Sequence, residues 1–446
     1  MPRPILTTLI SLTVVLVCSL GTSTASAQSM SHPDSISPLK PNPYLRHDDP
    51  WRWDVRAQVF LRHGIITYAN GEYREQLSSS WRLNNFEYIF PLVRQGGHYW
   101  SPNEEIETSF RIDDTIFQPE PKILQTPGSG APYVWWKSNL QDYKVYQLHF
   151  TQTSHIVAAD TIFNEELAKQ IPWPQHWLPE AQGFLTPLID PIGEPYIDVR
   201  GQDQLLRLVD KWLEGNDPKT IDQVTLAKFL TGKVIEHVRV TRGNSIFSPT
   251  VATPRFQESN PANGLSLTGN FSTYPQSSWS GFYVRSADQV ALDPSGSVLD
   301  LSTMLTSVLR SVGIPARTVV CYNMYSYANS VDDIITAMVE FALYDQKNDQ
   351  ILWIPIDTKL LLDNGRRSTL YKQNWDYFGS HNLLRFYVPL AYYFHPPVNY
   401  SAYGFPALYG FKTMPKTKHD SVSQILAIEV VNSTLRSEDI YKNGNP

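Results

Sequence analysis

Hydrophobic and polar residues alternate along the first part of the chain. The stretch "WDVRAQVF" places Trp53, Val55, Ala57 and Val59 on one face and charged or polar residues on the other, and "YKVYQLHF" does nearly the same. A period of two is typical of strands with one buried face. The pattern therefore predicts an antiparallel β-sandwich that extends to about Pro191.

A helical spacing replaces this alternation further along the chain. In "QDQLLRLVDKWLEG" the residues at helical spacing, before the closing Gly215, are Leu205, Leu206, Val209, Trp212 and Leu213. The segment "TIDQVTLAKFLTGKVIEHVRV" predicts a second helix that runs into a strand. A connection rich in Ser, Asn and Pro follows, from about residue 241 to 286, and loops of this length are usually functional.

A third helix is predicted from about Val298 to Val312, within "GSVLDLSTMLTSVLRSVGIPARTVV". Its apolar stripe consists of Leu301, Met304, Leu305, Val308 and Val312. The stripe predicts a helix that turns one face towards the core, and the β-branched "RTVVCY" after it predicts a buried strand.

The two ends of this third helix are marked by their residue types. Ser297 and Asp300 have the S-x-x-D spacing of a capping box, which makes Ser297 the N-cap and Val298 the first helical residue. Gly313 suits the left-handed conformation that follows many helices, and Pro315 prevents continuation.

Composition narrows the class of protein. A chain of 446 residues is too long for one ordinary core, so two or three domains are expected. Hydrophobic residues make up 42% and charged residues 18%, which indicates a folded protein, and 12% aromatics with 33 prolines favour a β-rich one. A formal charge of -6 is small for this length and gives no electrostatic footprint for nucleic acid.

The first residues have the pattern of a secretory signal peptide. Arg3 supplies the positive charge, "ILTTLISLTVVLVCSL" the apolar stretch, and "TASAQ" an A-x-A cleavage site after Ala27. The apolar stretch is short for a membrane span, and no later segment is apolar enough. A lipoprotein anchor at Cys18 is the alternative, but Val17 is not the small residue that it needs. The sequence predicts an exported protein, periplasmic or extracellular, without a membrane span in the mature chain.

Removing the signal leaves Cys321 as the only cysteine. An internal disulfide and a cysteine-rich metal site are then both impossible. The histidines are scattered and lack H-E-x-x-H or a comparable spacing. We therefore predict neither a metal ion nor another cofactor.

Three motifs, in the right order, resemble those of transglutaminase-like (papain-like cysteine) domains. "VLRSVGIPARTVVCY", residues 308–322, is similar to the family's LLR-x-x-GIPAR-x-V-x-x-Y. "TAMVEFAL" resembles its H-A-W-V-E-V strand, and "WIPIDT" resembles its W-V-P-V-D-P-T strand. The likeness extends over residues 201–358. It implies a papain-like transglutaminase core. With the alternating pattern before it, the predicted fold class is α+β, in which this core is preceded by an antiparallel β-sandwich-like domain.

Pattern and resemblance together predict five segments. They are a signal peptide (1–27), a proline-rich linker (28–50), a β-rich N-terminal domain (51–195), a transglutaminase-like domain (196–370) and an aromatic C-terminal extension that packs on the core (371–446).

The resemblance implies a Cys, His, Asp triad, and this sequence departs from it at two positions. The cysteine position falls on Val298 and the histidine position on Thr336, whereas Asp357 is retained. A helix N-terminus favours a thiolate, but valine has no lone pair, and threonine is no base near neutral pH. The triad is therefore not intact, and Asp357 is expected to have no imidazole to orient.

Other side chains could take over the missing roles. Ser297 is either the helix cap or a displaced nucleophile, and Cys321 is either a packed apolar residue or a reactive thiol. Asp332 and Asp333 form either a solvated turn or a carboxylate pair.

Further residues near the motifs have structural and functional alternatives. Arg317 is expected to pair with a carboxylate such as Glu340. His381 and His395 could fold back over the cleft or belong to packed loops, and the aromatic extension is either a binding platform or a covering layer.

Three function hypotheses follow. The first is an exported transglutaminase-like pseudoenzyme with a non-catalytic binding or assembly role, whose partner is an extracellular or envelope protein, peptide or polymer. The alternative is an active hydrolase or acyl transferase of the transglutaminase-like/cysteine protease class with a displaced nucleophile, Ser297 or Cys321. The third is a structural protein whose old cleft is filled by side chains. An open or a filled cleft distinguishes the first from the third.

Overall fold

Antiparallel sheets dominate the described part of the chain. The computed structural model describes residues 42–69, 72–77, 80–101, 107–117, 120–125, 131–186, 203–240, 258–259, 278–279, 285–325, 335–393, 410–414 and 422–433. Its strands are β1 (Leu45–Ala69), β2 (Glu72–Leu77), β3 (Trp81–Pro91), β4 (Tyr99–Trp100), β5 (Glu107–Ile112), β6 (Thr115–Phe117), β7 (Lys122–Gln125), β8 (Pro132–Val145), β9 (Gln147–Phe163), β10 (Arg239–Val240), β11 (Glu258–Ser259), β12 (Ser278–Trp279), β13 (Ser295–Gly296), β14 (Ala316–Asn323), β15 (Ile335–Asp345), β16 (Gln350–Ile356), β17 (Tyr387–Ala391), β18 (Gly410–Met414) and β19 (Val422–Ser433). Its α-helices are α1 (Glu165–Ala168), α2 (Pro179–Gln182), α3 (Asp203–Leu213), α4 (Gln223–His237), α5 (Ala287–Leu292), α6 (Val298–Ser311) and α7 (Thr358–Asp363).

Two antiparallel sheets form the predicted sandwich. The larger has the strand order β11-β12-β19-β1-β9-β5-β6, with β2 and β4 attached to β1 and β9, and the smaller has the order β18-β3-β8-β7. Aromatic side chains of the two sheets meet between them, and the ring centroids of Tyr88 and Phe150 lie 3.6 Å apart. The predicted inner face of β1 is confirmed, since its residues from Trp53 to Val59 that were placed inside are at most 6% exposed.

The predicted linker extends too far. Strand β1 already begins at Leu45, which is 4% exposed and pairs with Phe163 of β9. Residues 45–50 therefore belong to the sheet, because burial of Leu45 outweighs the polar and proline-rich character of this stretch.

The three motif segments contribute to a four-stranded antiparallel sheet in the order β16-β15-β14-β17, whose last strand comes from the C-terminal extension. Helices α4 and α6 share a hydrophobic cluster with one face of this sheet. Helix α6 begins at Val298, close to the predicted bounds, but it is buried on every side from Leu299 to Arg310 rather than along one stripe. Its polar side chains fit because the hydroxyls of Thr303 and Thr306 donate to carbonyls four residues back.

Helices α3 and α4 also lie where the period of 3.6 predicts them. One position of the α3 stripe is wrong: Leu206 is 45% exposed, because the buried face of the helix turns towards Leu205 and Val209 instead. Gly215 and Gly313, which follow α3 and α6, have φ angles of +74° and +85°. Both glycines therefore have the left-handed conformation that ends helices.

The C-terminal extension is more than a covering layer. Strand β17 pairs with β14 in the core sheet, β18 pairs with β3, and β19 pairs with β1. The extension thus supplies a strand to three different sheets. The contacts from Leu39 to Pro446 form one compact unit, so the boundaries after residues 195 and 370 stay predictions. Among the described residues, no helix has both the length and the hydropathy to cross a bilayer.

Candidate functional site

The N-terminus of α6 is capped as its sequence predicts. The Ser297 hydroxyl accepts a hydrogen bond from the Asp300 backbone N–H at 3.1 Å, and the Ser297 N–H donates to Asp300 Oδ2 at 2.9 Å. Val298 follows as the first helical residue and is partly exposed. The position where the family has its nucleophile therefore presents an aliphatic side chain.

A carboxylate already occupies the positive end of the α6 dipole. Asp300 is 2% exposed, and Arg285 donates to it from its backbone N–H at 2.8 Å and from Nε at 3.4 Å. Burial raises the pKa of Asp300, while Arg285 and the backbone N–H groups act in the opposite direction. The interaction that a thiolate would have with the helix dipole is thus made by Asp300.

Val298 and the neighbours of the other two positions that the resemblance assigns to the triad meet around Ser302. The Ser302 hydroxyl contacts the backbone oxygen of Ala337 at 3.0 Å, the hydroxyl of Thr358 at 3.0 Å and the backbone oxygen of Val298 at 3.2 Å. Ala337 follows Thr336 on β15, and Thr358 follows Asp357 at the start of α7. Strands β15 and β16 therefore deliver the second and third positions to the first turns of α6.

Asp357 does have an imidazole beside it, contrary to the sequence expectation. Its Oδ1 accepts the Leu360 N–H at 2.9 Å and caps α7, and its Oδ2 lies 3.3 Å from Nε2 of His381. The Tyr387 hydroxyl also bonds to this carboxylate, and burial first, then Asp357, raises the pKa of Tyr387 well above its ordinary value. Of the two histidines that could fold back over the cleft, His381 does so.

Both ring nitrogens of His381 are in use. Nδ1 accepts the Leu383 backbone N–H at 3.1 Å, so the proton must be on Nε2, which donates to Asp357. The residue is 5% exposed. The two hydrogen bonds therefore occupy both ring nitrogens of His381, and a general base needs a free lone pair.

Cys321 is a packed apolar residue. It is fully buried on β14, between Thr336 of β15 and Pro389 of β17, and its Sγ contacts the Val319 oxygen at 3.7 Å. Burial raises the pKa of the thiol well above its ordinary value, and Glu340 and Asp357 act in the same direction. A thiol of this kind is not a nucleophile near neutral pH.

Two of the three triad positions are buried within the described residues. Thr336 is 6% exposed and Asp357 2% exposed, and His381 and Tyr387 of the C-terminal extension contact the carboxylate. Within the described ranges, the hydrogen bonds of Ser297 and Cys321 go to backbone groups and to Asp300, not to an imidazole.

The expected pair of Arg317 and Glu340 is confirmed. Arg317 Nε donates to Glu340 Oε2 at 2.8 Å, and its guanidinium carbon lies 3.9 Å and 4.1 Å from the ring centroids of Trp353 and Tyr392. The segment 95–100 joins this cluster from the sandwich, since Arg317 also donates to the Gln95 oxygen at 2.6 Å.

His98, in the same segment, is a buried group that sequence reasoning missed. Its Nε2 donates to the Tyr387 oxygen at 3.1 Å, while its Nδ1 lies 3.8 Å from Glu340 Oε1 and has no hydrogen-bond partner among the described residues. Burial lowers the pKa of His98 to about 3. The one available signal is the preceding Gly96-Gly97 pair, because a Cβ on Gly97 would overlap the backbone oxygen of Trp353.

Several predicted groups remain outside this picture. Asp332, Asp333 and His395 lie outside the described residues. In the described ranges, no three His, Cys, Asp or Glu side chains are grouped so that they could hold a metal ion. The expectation of no cofactor stays a prediction.

Two solved structures share features with this chain at low similarity. One is a candidate cysteine protease from Cytophaga hutchinsonii, at 10% identity and a TM-score of 0.44, covering 88% of this chain and 94% of the other. Another is a candidate protease from Parabacteroides distasonis, at 11% identity and a TM-score of 0.15, covering 60% of this chain and 59% of the other. None of the curated proteins matches the sequence significantly.

A family model gives the clearer result. Residues 267–358 match the model described as the transglutaminase-like superfamily. This segment includes Val298, Thr336 and Asp357, and it ends at the Thr358 of the third motif. The chain therefore contains a transglutaminase-like domain at residues 267–358.

Proposed function

We propose that this protein is an exported, non-catalytic transglutaminase-like protein with a binding or assembly role. One observation carries the proposal: the polar groups around the triad positions are hydrogen-bonded to one another and to the backbone. Ser297 and Asp300 bond reciprocally, and Asp357 bonds to Leu360 and His381.

The chemistry of the family needs a thiolate and a proton acceptor. Val298 cannot supply the first, and His381, with both nitrogens occupied, cannot supply the second. In a serine-protease triad, loss of the nucleophile or the base alone costs about 10⁶-fold in rate. Asp357 then serves as a helix cap and as an anchor for the C-terminal extension.

The filled cleft bears on where a partner could bind. Because His381 and Tyr387 cover Asp357, a peptide or polymer has no room between the triad positions. The binding or assembly role is accordingly assigned to another surface. The geometry also favours the structural hypothesis for the cleft itself.

Export is part of the proposal and is supported by residues 1–27 alone. We expect the mature protein to begin at Gln28 and to be found outside the cytoplasm. N-terminal sequencing of the protein from a fractionated host tests this, and an intact N-terminus in the cytoplasmic fraction would contradict it.

An activity assay on the purified protein tests the loss of catalysis. We expect no peptide hydrolysis and no incorporation of a primary amine into a glutamine-containing protein above the blank. Ser297→Ala and Cys321→Ser are the matched variants, with thermal unfolding as the check on folding. Turnover by the unaltered protein that either substitution abolishes would establish the displaced-nucleophile alternative.

The double variant Val298→Cys, Thr336→His tests whether the cleft is filled. We expect it to remain inactive, because the position of Thr336 is buried under the C-terminal extension. Activity gained by the double variant would show that the cleft is open and that just two side chains are missing.

A further inference from the structure

A narrow slot between the two sheets of the sandwich is a candidate binding site. It comprises about 280 Å³ of space, partly open to solvent, and its enclosed part has room for about one water molecule. Its walls include the aromatic residues Tyr88, Phe90, Trp136 and Phe150. None of the residues that line it is charged.

One polar group in the slot retains hydrogen-bonding capacity. Gln152 lines the slot and is 7% exposed. Its Nε2 donates to the Pro91 oxygen at 3.0 Å, which fixes the amide orientation, and its Oε1 has no hydrogen-bond partner among the described residues. Buried acceptors are rarely left in this state, so a donor from outside the described residues is expected here.

Two buried cationic side chains elsewhere in the chain also lie beside aromatic rings. The Arg317 guanidinium lies between Trp353 and Tyr392 and bonds to Glu340. The buried Lys228 ammonium lies 5.5 Å from the ring centroids of Trp375 and Phe378 and bonds to Glu165. Both sites combine aromatic rings with a carboxylate oxygen as acceptor, and both hold a cation.

We propose that the slot binds the head of a primary alkylammonium group. The ammonium group is close to a water molecule in size and carries N–H donors but no acceptor. It would donate a hydrogen bond to Gln152 Oε1, while the aromatic rings contact the alkyl stem and the positive charge. The source is a lysine side chain of a partner protein or a free alkylamine. The inference rests on the binding role proposed above but not on the loss of catalysis, and binding is measured without any activity assay.

Ligand-observed NMR on the full-length protein tests the proposal with three probes. We expect saturable binding of n-butylammonium, at least tenfold weaker binding of n-butanol, which has a donor but no charge, and no binding of tetramethylammonium, which is wider and has no N–H. Nα-acetyl-lysine methylamide then distinguishes the sources. Its binding indicates a partner's lysine, and binding of butylammonium alone indicates a free amine.

Two variants locate the site. Gln152→Met removes the acceptor and Ala57→Leu fills the slot, and each should weaken butylammonium at least tenfold. Gln170→Met, at an exposed glutamine, is the control and should leave binding unchanged. Thermal unfolding shows which variants are folded. If one of the two slot variants does not fold, the other still tests the site.

Three results would overturn the proposal. They are equal affinity for butylammonium and butanol, no saturable binding of butylammonium, and binding that survives unchanged in every folded variant of the slot.

Discussion

The transglutaminase-like site and the sandwich slot are both lined by buried polar groups, but they differ in whether those groups already have hydrogen-bond partners within the described chain. At the site, Ser297, Asp357 and His381 bond to neighbours within the chain. In the slot, Gln152 Oε1 has no partner among the described residues. A saturated group stabilises the fold, whereas an unsaturated one can still meet a ligand. Hydrogen-bond saturation thus distinguishes the triad positions from the candidate binding slot.

The difference has a cause in the way that the chain is built. The C-terminal extension adds β17 to the core sheet and brings His381 and Tyr387 onto Asp357, so the site is closed by covalently attached residues. The slot lies between the two sheets of the sandwich, and no residue of the C-terminal extension lines it among the described residues. Within the motif strands, Arg317 and Glu340 form a buried ion pair.

The largest expected effect is the loss of Arg317. Arg317→Met leaves the Glu340 carboxylate buried with its main cation removed, which should lower the free energy of unfolding by about 3–5 kcal/mol. Arg310→Met is the control, since Arg310 is also buried but bonds to the backbone oxygens of Ala316 and Thr186 rather than to a carboxylate. Urea unfolding measures both variants. Equal losses would mean that the ion pair has no special weight in joining the sandwich to the core.

Asp357→Ala should have the next largest effect, on stability rather than on any reaction. It removes the cap of α7 and the partner of His381, and we expect a loss of about 2–4 kcal/mol. Asp363→Ala on the same helix is the control, because its bond to Lys359 is exposed and should contribute at most about 0.5 kcal/mol. If Asp357→Ala unfolded at the same urea concentration as the control variant, the structural role of Asp357 would be refuted.

A smaller effect per pH unit is expected from the titration of His98. Its pKa is about 3 in the folded protein and about 6.5 when unfolded, so the unfolded chain binds more protons between these values. Stability should therefore fall as the pH decreases from about 6.5 towards 3, with a contribution of at most about 1.4 kcal/mol per pH unit. His98→Gln, which retains a donor for the Tyr387 oxygen, should flatten the decrease.

His155 is the matched control of opposite sign. Its hydrogen bond to Asp54 raises its pKa, so it contributes stability at low pH that is lost as the pH increases. His155→Gln should accordingly leave the decrease below about pH 6.5 unchanged and abolish a loss of stability that begins above about pH 6.5. His47 and His149, whose pKa values burial lowers, act in the same direction as His98 and remain in both variants. An unchanged slope in His98→Gln would show that the ring is already hydrated or protonated.

Local pattern accounts for the parts of the fold that were predicted correctly. The ends of α6 followed from Ser297, Asp300 and Gly313, because caps are determined by residues that are neighbours in sequence. The inner face of β1 followed from alternation. Arg317 and Glu340 are register partners on the adjacent strands β14 and β15, which explains why they pair.

Contacts between distant parts of the chain account for what was missed. His381 reaches Asp357 through a turn in which Tyr377 has a φ of +69° and Gly379 a φ of +76°. The spacing of hydrophobic residues does not predict such a turn. His98 is buried by the backbone of Tyr387, nearly 300 residues later in the chain. The unsatisfied Gln152 oxygen depends on how two sheets face each other, which a single strand pattern does not contain.

The smallest expected effect compares the packing of the two regions with the same substitution. Ala57 lines the slot, so Ala57→Val should change the free energy of unfolding by at most about 0.5 kcal/mol and should stabilise rather than destabilise, because the added methyl groups fill empty space. Ala337 is 1% exposed and its backbone oxygen accepts from Ser302, so Ala337→Val should cost about 1–3 kcal/mol through overpacking. Urea unfolding of the two variants side by side decides the matter. If Ala57→Val cost as much as Ala337→Val, the sandwich would be as tightly packed as the filled cleft, and it would have no space for a ligand.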